Sequence, residues 1–190
     1  MTEQEPRPSR ADAARNREQL LAAATRVLGS GRNETSMRAI AREAGVGIAT
    51  LYRHFPTRES LVEAVYRDQV VRLTSGAREL LAAATPAAAL RAWMDLFGDW
   101  IATKNGMLDT LLTMIECGDL AHARTRDELL WAISAILDAG SAAGDLRSDI
   151  TPEEVAASLI GIFTVARQSG GTVTAGRLLD ILLDGLRPRP

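Results

Sequence analysis

Residues 36–58 constrain the fold more than any other part of the chain. Ala41, Gly45 and Leu51 stand four and six residues apart, and each is the type that one steric demand selects. Where one short helix crosses another at a sharp angle, the position beneath the crossing must be small; Ala41 meets this. The turn needs a positive φ, which glycine reaches without a Cβ clash, and Gly45 stands there. The second helix must send an apolar side chain back into the core, and Leu51 does so. Ile40, Ala44, Val46, Leu51 and Phe55 then make one apolar face across both helices. The spacing predicts a helix-turn-helix over about residues 37–56, a shape that fits the major groove of DNA. On spacing alone, a tight helical hairpin of another fold fits too.

The residue order narrows this. Ile40-Ala41-x-x-Ala44-Gly45-Val46, then Thr50-Leu51-Tyr52-Arg53-His54-Phe55, then Arg58-Glu59-x-Leu61 resembles the TetR family of bacterial transcriptional regulators. The likeness covers residues 15–75; beyond them only length, helical content and layout are similar. It implies an N-terminal DNA-binding domain, a C-terminal helical domain for effector binding and dimerisation, and repression as the usual mode. The family often has Ser at the position of Gly47 and Gly at that of Ala49. This chain therefore lacks one hydroxyl that would reach a phosphate or base from the start of the second helix.

The expected DNA-binding set is Arg38, Gly47, Ile48, Ala49, Thr50, Tyr52, Arg53, His54 and Arg58. Tyr52 and His54 suit phosphates, and Arg53 a phosphate or a guanine edge. Ile48 and Thr50 suit base edges or thymine methyls. Arg38 and Arg58, each in the first turn of its helix, suit the flanking backbone. Charge is split accordingly: residues 1–60 carry a net +3 and residues 61–190 a net −5. A basic head on an acidic body fits a modular DNA reader, and a split of this size also arises by chance.

The rest of the chain reads as helix. Leu20, Ala24, Val27 and Leu28 put a buried stripe on a first helix from about Ala13 to Leu28, ended by Gly29 and Gly31. Thr35 or Ser36 caps the second helix and Thr57 the fourth, which runs to about Ala83. Thr85-Pro86 starts another, Asn105-Gly106 breaks it, and a short weaker helix follows. Residues 116–124 look irregular and 125–142 helical. Thr151-Pro152-Glu153-Glu154 is a full start signal with a capping box, and a last helix spans Thr174 to Leu186. The expected fold is all-α with about nine helices and no strand. Residues 1–12 form a disordered arm, 13–75 the DNA-binding domain, and 76–190 the effector-binding and dimerisation domain.

Large apolar side chains with adaptable methionines suit the walls of a small-molecule cavity. The expected effector pocket is Trp93, Phe97, Trp100, Met107, Leu111, Met114, Trp131 and Phe163, and a packed core is the plainer reading of each residue taken singly. Few charges fall on this face, so the effector should be hydrophobic; Asp109, Glu116 and Arg167 are the polar groups that would orient it. The last two helices carry more apolar face than one core hides. Val155, Leu159, Ile162, Leu178 and Leu182 are the expected dimer interface, unless both faces are used inside one chain.

Partners follow from this reading: double-stranded DNA with a palindromic operator, a second copy as homodimer, and an unknown small-molecule effector. No membrane partner is expected, because no apolar run is long enough to cross a bilayer. The N-terminus has no signal-peptide pattern, and the single cysteine, Cys117, fits a reducing cytoplasm. Glu116, Cys117 and His122 are too loosely spaced for a metal set, so no metal or cofactor is expected. No phosphate loop and no nucleophile–base pair is legible, so the chain is not expected to be an enzyme. The competing class is a helical ligand-binding or interaction protein without an operator, in which residues 36–58 would only pack.

Overall fold

The computed structural model describes residues 10–30, 35–117, 122–169 and 174–188; the side chains of 10–13 and 122–123 lie outside that description. Among the described residues there are nine helices and no strand. They are α1 (Arg10–Gly29), α2 (Met37–Glu43), α3 (Ile48–His54), α4 (Arg58–Ala83) and α5 (Pro86–Gly106), followed by α6 (Leu108–Glu116), α7 (His122–Ala143), α8 (Pro152–Gln168) and α9 (Ala175–Leu186). The first helix starts at Arg10, ahead of the expected Ala13, so the arm expected over 1–12 keeps no described residue outside the helix. The rest of that arm lies outside the described residues, as do residues 118–121 of the expected irregular stretch. Helix α7 starts at His122, three residues early.

The helix starts follow the side-chain chemistry of the sequence. Ser36 Oγ accepts the Ala39 N–H at 3.2 Å, which settles the choice between Thr35 and Ser36. Ahead of α4, Ser60 N–H donates to Thr57 Oγ1 at 3.1 Å and Thr57 N–H to Ser60 Oγ at 3.2 Å, so serine replaces the usual carboxylate of a capping box. At α8 the box is complete: Glu154 N–H donates to Thr151 Oγ1 at 3.3 Å and Thr151 N–H to Glu154 Oε2 at 2.8 Å. Those bonds, the backbone one foremost, hold the Glu154 carboxyl below its ordinary range.

By contact density the described chain divides into two compact units. One holds the residues up to Tyr66 together with Ala102–Cys117; the other holds Arg67–Ile101 and everything from 122 onward. The first unit buries Leu20, Leu28, Ile40, Leu51 and Leu61 to 1% exposure or less, each burial contributing about 1.5–3 kcal/mol, and Ala24 is fully buried as well. In the same unit the end of α5 lies against the end of α1 so closely that a Cβ on Gly106 would overlap the Leu28 carbonyl. Gly106, expected as a breaker, is thus demanded by a neighbouring backbone.

The second unit is built on Trp93, Met94, Leu90, Ile133, Ile136 and Leu159, all fully buried. Trp93 Nε1–H donates to the Leu73 carbonyl at 2.8 Å, which satisfies the one polar atom of a buried indole. Arg91 joins Asp95 on its own helix (2.6 Å) to Asp180 on α9 (2.7 Å). These carboxylates raise the guanidinium pKa further.

Candidate nucleic-acid interface and ligand region

The turn between α2 and α3 is fixed by backbone bonds. Gly45 has φ +69°; its N–H donates to the Arg42 carbonyl at 3.1 Å, and Val46 N–H reaches back to Ala41 at 3.0 Å. This paired closure of a helix end needs a left-handed residue, and glycine supplies it without strain. Ala41 beneath the crossing is 3% exposed and Leu51 is fully buried, so all three steric demands are met.

With Leu51 pinned inward, the opposite side of α3 is fixed outward. Gly47, Ile48, Ala49, Tyr52 and Arg53 are exposed, and Thr50 and His54 lie half-buried at the flanks. Ile48 and Tyr52, one turn apart, are 37% and 47% exposed, an apolar presence that no described residue covers. Among the described residues Arg53 bonds within its helix, at 3.4 Å to the Ala49 carbonyl and 3.3 Å to Thr50 Oγ1. Both bonds are long and easily exchanged. Gly47 is the N-cap residue of α3 and offers no side-chain cap, with open space where a Cβ would stand. Phe55 closes the helix, buried under the Arg17 guanidinium at 5.4 Å. Arg38 is exposed in the first turn of α2.

Arg58 is placed differently from the other cations of the expected set. It is half-buried and bonded on three sides: Nη1–H to the Thr35 carbonyl (2.5 Å), Nη2–H to Thr35 Oγ1 (3.4 Å), and Nε–H to Thr110 Oγ1 on α6 (3.2 Å).

The residues expected around a ligand separate into groups. Trp93, Phe97, Trp100 and Phe163 are brought together in the second unit, with ring centroids 5.6 Å (Trp93–Phe97), 5.2 Å (Phe97–Trp100) and 6.3 Å (Phe97–Phe163) apart. Met107, Leu111 and Met114 are buried in the first unit. Trp131 does not join the aromatic cluster: it is 51% exposed, with the Arg78 guanidinium 5.2 Å from its ring centroid. Of the polar groups named to orient a ligand, Asp109, Glu116 and Arg167 are all exposed. A buried one went unnoticed. Gln69 is 6% exposed, and its Nε2 has no hydrogen-bond partner among the described residues. It lies one turn along α4 from Leu73, whose carbonyl takes the Trp93 N–H. The signal available in the sequence was its helical spacing from Val62, Val65 and Leu73, which puts a glutamine on the apolar stripe of α4.

On α8, Val155 and Leu159, expected at an interface with a second copy, are turned into the core of their own unit at 1% and 0% exposure. Ile162, Leu178 and Leu182 are half-buried. The outward stripe is Ala157, Ile160, Gly161, Thr164 and Val165, at three- and four-residue spacing. Ile160 and Val165 are 53% and 51% exposed, and Ile181 on α9 is 54% exposed. A groove of about 630 Å³ opens between the two helices, lined by Ala157, Ser158, Ile181, Leu182 and Gly185 among others. Among the described residues no cluster of His, Cys, Asp and Glu could hold a metal ion, and no helix is long and apolar enough to cross a membrane.

A buried small residue, a glycine turn and a two-turn helix with an outward mixed face define the helix-turn-helix class of DNA-binding proteins. The chain belongs to the TetR family, whose members are non-enzymatic transcriptional regulators. Residues 20–65 match the profile of "Bacterial regulatory proteins, tetR family" and residues 85–188 that of "Transcriptional regulator SbtR-like, C-terminal domain". The chain is 31% identical to the HTH-type transcriptional repressor KstR2 of Rhodococcus jostii (strain RHA1), with 92% of each chain covered. Among solved structures it is similar to the TetR transcriptional regulator SCO0520 of Streptomyces coelicolor, at 44% identity and TM-score 0.82, covering 92% of this chain and 99% of that one. The TetR transcription regulatory protein of Mycobacterium vanbaalenii matches at 34% identity and TM-score 0.73, covering 95% and 100%.

Proposed function

We propose that this regulator is a repressor that binds a palindromic operator as a homodimer and leaves it when a small hydrophobic effector binds. The observation that carries the reading is the outward face of α3, where Ile48, Tyr52 and Arg53 are exposed on a helix locked in place by Leu51 and the Gly45 turn. Ile48 and Thr50 meet base edges, Tyr52 and His54 phosphates, and Arg53 a phosphate or a guanine; Arg38 grips the flanking backbone. One seven-residue helix buries too little surface for useful affinity, whereas two reading half-sites about 34–36 Å apart suffice. The second copy docks on Ile160, Gly161, Val165 and Ile181, with the half-buried Ile162, Leu178 and Leu182 at its edge. The effector sits against Trp93, Phe97, Trp100 and Phe163, with the Gln69 amide as its hydrogen-bond donor. A coupling of about 1–3 kcal/mol between effector and operator switches occupancy several-fold or more.

The test is a gel shift with the DNA upstream of the protein's own gene, repeated across salt concentrations. Specific retention that weakens steeply as salt rises is expected, because phosphate contacts release counterions. Failure to retain any promoter fragment from its genome would sink the reading.

A further inference from the structure

We propose that Arg58 is a tie between the helix-turn-helix and α6, and not a phosphate ligand. Its functional meaning rests on the DNA-binding reading above; the tie itself does not. A guanidinium offers five N–H donors in a rigid fork. Three of them are committed here, two to Thr35 and one to Thr110. Thr35 immediately precedes Ser36, the N-cap of α2, so Arg58 holds the chain at the point where the helix-turn-helix begins. Thr110 lies in the first turn of α6, so the same planar group fixes that helix to the same point. Arg53, by contrast, is exposed and, among the described residues, bonds to its own helix by two long contacts.

The tie has a counterpart in the same unit. The residues leading into α6 press on α1, where Gly106 lies against the Leu28 carbonyl and a Cβ on Gly29 would stand 3.2 Å from Thr103 Oγ1. A nine-residue helix is thereby held at its start from two directions, by backbone approach to α1 and by Arg58 to α2 and α4. A force that displaces α6 must break the Thr110 bond or drag Arg58 and Thr35 with it. The second outcome moves α2, and with α2 the turn that leads into α3; the first uncouples α6 from both. Arg58 is in this sense a positioning residue.

The experiment compares Arg58→Met, Arg58→Lys and Thr110→Val with Arg53→Ala in the full-length chain. Hydrogen exchange is measured without DNA, and binding to the upstream fragment is measured across salt. For a tie, Arg58→Met and Thr110→Val each speed exchange in both 36–43 and 107–117, and Arg58→Lys, which keeps the charge but not the fork, behaves like Met. Operator affinity falls several-fold while the slope of log affinity on log salt stays unchanged; the double variant is no worse than Arg58→Met alone. For a phosphate ligand the slope drops by about one, Lys largely rescues, and Thr110→Val is silent; that pattern overturns the proposal. Unaltered exchange at α2 and α6 overturns it as well. If no fragment is bound by any form, the DNA-binding reading fails, and the exchange data still decide the tie. Thr110→Val is a near-isosteric change at a half-buried position, so the result survives even if Arg58→Met folds poorly.

Discussion

Arg53 and Arg58 carry the same charge five residues apart, yet among the described residues Arg53 bonds within its own helix and Arg58 bonds to Thr35 and Thr110. The difference is made by what surrounds each side chain, and a one-dimensional pattern does not carry it. Arg53→Ala should weaken operator binding and lower the salt slope by about one, measured by titration at several ionic strengths. Gln69 makes the same point from the interior. Its amide nitrogen is buried without a partner among the described residues, so Gln69→Leu should leave the melting temperature of the ligand-free protein unchanged or raise it. A clear drop would show that the amide is a structural member and remove it from the proposed effector site. The residue types at Ala41, Gly45 and Leu51 were legible beforehand because each answers a local steric demand. Arg58 and Gly106 were legible only as types, because their partners, Thr110 and Leu28, are set by tertiary contact.

Elements were readable to the extent that their ends are chemically marked. Ser36, Thr57 and Thr151 start helices where a hydroxyl closes a turn, whereas the starts of α1 and α7 were placed three residues late. The α8 capping box also makes a pH prediction. The Glu154 carboxyl titrates below its ordinary range in the folded chain, so its contribution is present above the unfolded value and is lost as pH falls through the folded one. The melting-temperature deficit of Glu154→Ala should therefore be largest near neutrality and shrink on acidification; a deficit that grows in acid would contradict the assignment. The same helix shows where periodicity stops helping. It is apolar on two sides, Val155 and Leu159 on one and Ile160 and Val165 on the other, and hydrophobicity alone does not say which side a single chain consumes.

At the scale of the whole molecule that second side becomes the proposed meeting surface of two copies. Ile160→Glu with Ile181→Glu should convert a dimer to monomers in sedimentation analysis and reduce operator affinity by far more than either change costs in stability, since both side chains are more than half exposed in the single chain. Unchanged sedimentation would move the interface elsewhere. The split of charge between a basic N-terminal stretch and an acidic remainder was visible from the sequence, as was the order of the two regions. The way a later segment, 102–117, is gathered into the first compact unit was not, because sequence distance hides contact between Gly106 and Leu28. That gathering bears on any attempt to graft this DNA reader onto a foreign regulator. A transplant cut after residue 75 would carry α3 but leave behind the segment that packs on α1 and bonds to Arg58. Chimeras should therefore exchange two stretches of chain together, and single-cut versions should come out loosely folded.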